Sequence, residues 1–277
     1  MIGHATEVAR GERFEFGANW TRFLNVLNDD RIHQAEKSLR EMLGVSDLKD
    51  KRFLDIGSGS GLFSLAARRL GATVHSFDYD PQSVACTREL KRRYFPDDSS
   101  WVVEEASVLD WDYLNRLGQF DVVYSWGVLH HTGAMWQALE NVVSLVPERG
   151  QLFIAIYNDQ GRASVMWKRI KKAYCDAPRP LKSLILLVAF LRLWGPTTVR
   201  DLLNGHPGTT WRNYGKSGVG RGMSPWRDVA DWVGGYPFEI AKPEEIFDFY
   251  RDRGFHLSRL TTCAGGHGCN EFVFTRV

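Results

Sequence analysis

Apolar and polar positions along the chain switch repeatedly between two periods. Phe53, Leu54 and Ile56 form a short apolar run of the kind a buried parallel strand shows, and Gly57, Ser58, Gly59, Ser60 and Gly61 break it at once. Phe63, Ala66, Ala67 and Leu70 then recur at helical spacing, with Gly71 placed as a left-handed cap. Thr73 to Phe77 reads as a second strand ending on Asp78. Upstream, Trp20, Phe23, Leu24 and Leu27, then Ile32, Ala35, Leu39, Met42 and Leu43, predict two amphipathic helices covering one end of the site.

Downstream the alternation continues. Asp80 and Pro81 supply an N-cap and first helical position for a helix to about Tyr94, and Trp101 to Glu105 reads as the third strand. Phe120 to Ser125 is the fourth, Ala134 to Val146 a helix stopped by Pro147, and Leu152 to Tyr157 the fifth strand. Such alternation predicts an α/β fold, a parallel sheet with helices on both faces. Pro243 opens a further helix carrying Ile246, Phe249 and Tyr250 and closing at Gly254. Phe255 to Thr262 and Glu271 to Val277 are then joined by the short CAGGHGC connection, which only antiparallel strands allow.

The glycine turn is the first chemical signal. Asp78 follows Gly57 by 21 residues, the separation at which a carboxylate reaches a ribose diol while backbone N–H groups and a helix N-terminus approach the ligand. A tight turn without ligand is the bland alternative. A dinucleotide loop reads G-x-G-x-x-G, whereas this one is G-x-G-x-G with Asp55 just before it. LDIGSGSG followed by Asp78 resembles motif I of the class I S-adenosylmethionine-dependent methyltransferases. NAD is the alternative ligand.

That resemblance runs from Phe53 to Val277 with one interruption, and implies a Rossmann-like, seven-stranded, mostly parallel sheet with an antiparallel last strand. It implies S-adenosylmethionine as cofactor, with Asp55, Gly57, Ser58, Gly59 and Gly61 under its methionine end and Asp78 on its ribose. Tyr79, with Ser107 and Val108 of WVVEEASVLD, would form the adenine pocket, although many relatives carry aspartate where this chain has Ser107. YSWGVLHHTGAMW resembles the segment after the fourth strand in the branch that includes the ubiquinone-biosynthesis and other small-molecule O-methyltransferases. Ser125 and Trp126 would then complete the cofactor site, His131 would be the base and His130 would face the acceptor. A structural histidine capping the next helix is the alternative for His131.

Tyr157, Asn158 and Asp159 end the fifth strand toward the same edge and are expected to contact substrate. No metal is expected: Asn158 and Asp159 alone do not make a divalent-ion site, and Cys263, His267 and Cys269 lack a fourth ligand for zinc.

Composition narrows the organisation. The 277 residues, 44% hydrophobic, suit one enlarged domain. We divide them into an N-terminal helical cover (1–50), a cofactor core (51–157 and 242–277) and a substrate-binding cap (158–241) inserted between strand five and the last helix. Four cysteines without a C-x-x-C and a charged MIGHATEVARGE start predict a reduced cytoplasm.

Charge is unevenly spread. The insertion holds thirteen Lys and Arg against six acids, a net of +7 within a chain of net +2. With Trp167, Trp194, Trp211, Trp226 and Trp232 it suggests an anionic or aromatic acceptor, with His206 and Tyr214 as substrate contacts; solvated helix faces and packing tryptophans are the plain alternative. GKSGVGRG is no P-loop, because Thr210 stands where the first glycine is required. LKSLILLVAFLRLW fits a buried cap helix, or a homodimer contact through the insertion, better than a membrane anchor. Its charge-free run, Ser183 to Leu191, is short of the ~20 residues a bilayer needs, so no transmembrane segment is expected.

The expected function is S-adenosylmethionine-dependent O-methylation of a small anionic or aromatic metabolite, with no DNA partner. An RNA (tRNA) methyltransferase using the basic insertion, and a non-catalytic cofactor-binding module, are the alternatives.

Overall fold

The computed structural model describes residues 3–214 and 225–277. In chain order its elements begin with α1 (His4–Ala9), α2 (Gly17–Phe23), α3 (Asp29–Leu43), β1 (Arg52–Ile56), α4 (Leu62–Arg69) and β2 (Thr73–Asp78). There follow α5 (Pro81–Tyr94), β3 (Trp101–Glu105), α6 (Trp111–Leu117), β4 (Val122–Trp126), a single 3-10 turn at Leu129–His131, α7 (Met135–Val143) and β5 (Gln151–Tyr157). The remainder comprises α8 (Arg162–Asp176), α9 (Arg179–Leu203), α10 (Thr209–Tyr214), α11 (Pro225–Gly234), α12 (Pro243–Arg251), β6 (Phe255–Thr261) and β7 (Cys269–Arg276). The GKSGVGRG stretch lies outside the described residues.

The chain divides into two compact units, one of Glu15–Ser164 with Phe238–Val277 and one of Met1–Phe14 with Val165–Pro237. The first is built on a seven-stranded sheet ordered β3-β2-β1-β4-β5-β7-β6. Strands β1 to β5 are mutually parallel, and β7 runs antiparallel to both β5 and β6. Strand alternation sends Phe53 and Leu54 to opposite faces, and each face has its own core. Phe53, Val74, Trp101 and Phe153 meet α3, α4 and α5 on one side. Leu54, Val123, Ile154 and Phe274 meet α6, α7 and α12 on the other. Helix starts follow their caps: the side chains of Asn28, Asp80 and Asp110 accept from Arg31 N, Gln82 N and Tyr113 N. The short helix α6 carries Trp111, Leu114 and Leu117 three residues apart, but at seven residues it is too short for the pattern to mark it.

The second unit is helical. Residues 3–14 pack with the insertion: Phe14 N donates to Tyr236 O at 2.9 Å, and a Cβ on Gly234 would overlap the Phe14 ring. Lys171 is fully buried, its Nζ donating to the Trp232 carbonyl and lying 4.2 Å from the Trp232 ring centroid. Burial pushes this ammonium down to about 7.

Helix α9 is longer than the charge-free run within it. It continues through Arg192 for 25 residues and holds an 18-residue window of mean hydropathy 1.3, long and apolar enough by length and composition to cross a membrane. A lone arginine interrupts a count of uncharged residues but not a helix. Nor is α9 a buried helix, since only 17% of that window is buried.

Candidate active site

The parallel strands end at one edge, and the strand order reverses between β1 and β4, the switch point where open α/β sheets bind ligands. After Ile56 the chain turns through Gly57, Gly59 and Gly61 at φ 75°, 55° and 79°, a left-handed sequence that side chains resist. A Cβ on Gly57 would stand 2.4 Å from Val128 Cγ1, and one on Gly61 would stand 2.9 Å from the Thr87 backbone. The loop is fixed to β2 by Gly57 N and Ser58 N, which donate to Phe77 O at 2.8 and 3.1 Å. Helix α5 clamps its other side, Ser58 Oγ and Thr87 Oγ1 lying 2.9 Å apart.

Asp78 closes the turn. Its Oδ2 accepts from Gly59 N and its Oδ1 from Asp80 N, each at 2.9 Å. Burial raises this carboxyl to about 6 against the opposing pull of those two N–H groups. Asp55 lies behind the loop, 2% exposed, and accepts from Ser64 Oγ. Ser64 Oγ is 2.8 Å from Ser76 Oγ, which accepts from Trp101 Nε1 at 2.9 Å. With Ser64 donating to Asp55, the protons run in one direction, Trp101 to Ser76 to Ser64 to Asp55. Burial, reinforced by the nearby Asp78 charge, lifts Asp55 to about 7, and the Ser64 bond opposes this.

Helix α2 covers the loop. Gly17 N donates to Asp80 Oδ2 at 2.7 Å, seating the start of α2 on the start of α5. A Cβ on Gly59 would meet the Trp20 indole at 3.1 Å. Phe16 extends this cover to His131, with ring centroids 5.0 Å apart.

Beyond β4, His130 and His131 occupy the 3-10 turn with 0% and 8% exposure. His130 Nδ1 accepts from Tyr157 N at 3.3 Å, which places its proton on Nε2, and its ring lies 4.0 Å from that of Tyr157. His131 meets the Tyr157 ring edge-on at 5.3 Å, and Phe238 approaches Tyr157 at the same distance. The group is therefore an aromatic cluster at the ends of β4 and β5.

A family model described as a methyltransferase domain matches residues 27–193, more than half of the chain. The chain belongs to the methyltransferase-domain family. The resemblance carried by LDIGSGSG and Asp78 thus holds at family level, and the seven-stranded sheet with antiparallel β7 is the fold it implied. The ribosomal protein L11 methyltransferase of Methylococcus capsulatus is 40% identical over 73 residues, 26% of this chain and 25% of that protein. The ubiquinone biosynthesis O-methyltransferase of Escherichia coli O139:H28 is 29% identical over 118 residues, 42% of this chain and 47% of that protein. The matched region thus spans from a quarter to about half the length of these relatives. The magnesium protoporphyrin IX methyltransferase of Synechocystis PCC 6803, solved with bound SAH, shares the fold with a TM-score of 0.51 at 14% identity. That likeness covers 89% of this chain and 83% of that one.

Within this chain, Asp55, the glycine loop, Asp78 and Tyr79 gather at the ends of β1 and β2, and Ser107 and Val108 follow the end of β3. Ser107 Oγ accepts from Leu109 N at 3.1 Å, and Val108 is 5% exposed in the core. Ser125 is turned inward, fully buried, donating to Ile56 O at 3.1 Å. Trp126 Nε1 donates to Glu271 Oε1 at 2.8 Å. Asn158 Oδ1 accepts from Asn270 Nδ2 at 3.0 Å, and Asp159 Oδ1 from Gly161 N at 2.7 Å, so both hold neighbouring chain. Among the described residues no three His, Cys, Asp or Glu gather as a metal site. His206 and Tyr214 belong to the helical unit, where His206 N donates to Asp201 O and Tyr214 Oη donates to Asp228 Oδ2 at 2.5 Å.

Sequence reasoning missed Trp20, Phe16 and Val128 at the loop, and the Ser76 and Trp101 links to Asp55. Trp20 was legible only as a core position of an amphipathic helix.

Proposed function

We propose that this protein is an S-adenosylmethionine-dependent methyltransferase that O-methylates a small anionic or aromatic metabolite. The observation that carries the cofactor reading is the Asp78 carboxylate held at the carboxyl end of β2 by Gly59 N, beside a loop whose glycines admit close backbone approach. Backbone N–H groups of Gly59, Tyr79 and Asp80 hold the carboxylate, whose oxygens would accept from the ribose hydroxyls. Gly61 starts α4 without a capping side chain, and within the first turn Asp55 accepts a backbone hydrogen bond from Ser64. These features fit the nucleoside and amino-acid ends of the cofactor, which supplies an electrophilic methyl on a sulfonium.

The residues' own work is then binding and proton transfer. Asp78 orients the ribose, Trp20 and Phe16 exclude water from above, and Tyr157 with Phe238 offers an aromatic wall to the acceptor. His131 takes the acceptor's hydroxyl proton, and Phe16 and Tyr157 hold its ring. Titration calorimetry with S-adenosylhomocysteine tests the cofactor. Incubation of labelled S-adenosylmethionine with a host metabolite extract, followed by mass detection of methylated products, tests the acceptor class. An absence of S-adenosylhomocysteine binding overturns the first reading, and label found only on RNA overturns the second.

A further inference from the structure

Strands β4, β5 and β7 set three side chains in one row at the carboxyl edge of the parallel strands. Trp126 pairs with Ala155, and Ala155 with Glu271. The β1–β4 register, Phe53 with Val122 through Asp55 with Tyr124, brings Gly57 beside Trp126 when it is carried two residues on, at the other end of that row. Paired residues present their side chains on one face of a sheet, and alternation makes this the face of Phe153 and Val273, under α3 and α4. Trp126 packs against the same core as Trp20, Leu62 and Phe63.

Ala155 decides where the indole goes. Only its methyl group stands between Trp126 and Glu271, so the ring crosses β5 and Nε1 donates to Glu271 Oε1 at 2.8 Å. The two strands that carry this pair are about 10 Å apart, twice the spacing of neighbouring strands. The bond draws the indole toward β7 and away from Gly57. Trp126 and Glu271 are both half-buried, so packing does not enclose the ring on every side, and a charge-assisted hydrogen bond sets its rotamer. Val128 crowds Gly57, its Cγ1 2.4 Å from the place a Cβ would take, so the loop has little room to yield to a misplaced ring.

On the reading of the cofactor given above, we propose that Glu271 is a positioning residue for S-adenosylmethionine. It holds the Trp126 indole over Ala155, clear of the space beside Gly57 that the methionine end of the cofactor requires. Glu271 acts through Trp126 and touches no part of the cofactor.

The test is titration calorimetry with S-adenosylhomocysteine, with Tm recorded for each variant. Glu271→Ala is expected to weaken binding roughly 10-fold, the upper range for one hydrogen bond of this kind. Glu271→Gln keeps an oxygen that accepts the same N–H and is expected to bind as the wild type does. In the Trp126→Ala background no indole can swing toward the loop, so adding Glu271→Ala is expected to cost nothing more. Should Glu271→Ala fail to fold, Glu271→Leu keeps bulk on β7 without an acceptor and is expected to show the same loss. The proposal is overturned if the folded variant lacking the acceptor has a lower Tm but wild-type affinity, which would make Glu271 a brace of the sheet alone. It is also overturned if Glu271→Gln shares the loss and the loss persists without Trp126, which would make Glu271 a direct ligand of the cofactor's ammonium group. A wild-type chain that does not bind S-adenosylhomocysteine overturns the cofactor reading itself, and this proposal with it.

Discussion

Asp78 Oδ2 accepts the Gly59 amide at 2.9 Å, so the acid that ends β2 also sets the shape of the glycine loop leaving β1. Two effects follow from one bond. Asp78→Ala removes both the proposed ribose contact and a brace of the loop, and is expected to weaken S-adenosylhomocysteine by roughly 1.5–3 kcal/mol. Asp78→Asn keeps one acceptor oxygen and is expected to lose less. Calorimetry on both variants checks the order; equal affinity in wild type and Asp78→Ala would remove Asp78 from the site.

The same carboxyl gives the binding a pH dependence. Burial holds Asp78 at about 6, and ribose hydroxyls donate best to its ionised form. Binding therefore releases a proton below that value, and affinity is expected to rise as pH increases through about 6 and then level off. Asp78→Asn should flatten the profile.

Buried groups in the two units give opposite pH trends in stability. Asp55 is raised from 3.8 to about 7, so the folded state binds more protons than the unfolded between those values. Its contribution falls as pH rises from about 4 to 7, by at most about 4 kcal/mol. Lys171 is lowered from 10.5 to about 7, so there the folded state binds fewer protons and stability rises with pH between about 7 and 10. Denaturant titrations of Asp55→Asn and Lys171→Met across pH 4–10 should flatten the acid and the alkaline limb respectively.

The Trp101–Ser76–Ser64–Asp55 relay predicts a stability cost without any change at the loop surface. Ser76→Ala strands the Trp101 indole N–H in the core and leaves Ser64 without its donor, at about 1–3 kcal/mol. Trp101→Phe removes that donor but opens a cavity beside Phe95, so it too destabilises. A double-mutant cycle of Ser76→Ala with Trp101→Phe is expected to show strong coupling; additive effects would mean that the relay is not a unit.

Much of the first unit was legible because periods and punctuation agreed. The strand Trp101–Glu105 and the helix Pro81–Tyr94 fell where the residues put them, since Asp80 and Pro81 start the helix and Trp101, Val102 and Val103 favour a strand. Other features depend on long-range meeting and leave no local mark. Ser125 sits at the strand end as a ligand contact would, yet its hydroxyl turns to Ile56, and Trp20 reaches Gly59 across 39 positions of sequence. The open face of α9 was hidden for another reason: composition reports that a helix is apolar but not which side its neighbours cover.

His131 carries the proposed chemistry, and its neighbour supplies the control. His130 Nδ1 is committed to Tyr157 N and its ring is fully buried, so it ties the 3-10 turn to β5. His131 is the more open of the two, at 8%, between Phe16 and Tyr157. For a hydroxyl acceptor, His131→Ala is expected to lower kcat by ~10²–10⁴ without altering S-adenosylhomocysteine affinity, and the wild-type rate should rise with pH as the base loses its proton. His130→Ala should instead lower Tm and disturb Tyr157, with a smaller loss of rate in the protein that remains folded. The two imidazoles therefore differ in kind: one outcome is kinetic and pH-dependent, the other thermal. A flat pH profile with near wild-type rate in His131→Ala would mean that positioning of the acceptor alone carries the transfer.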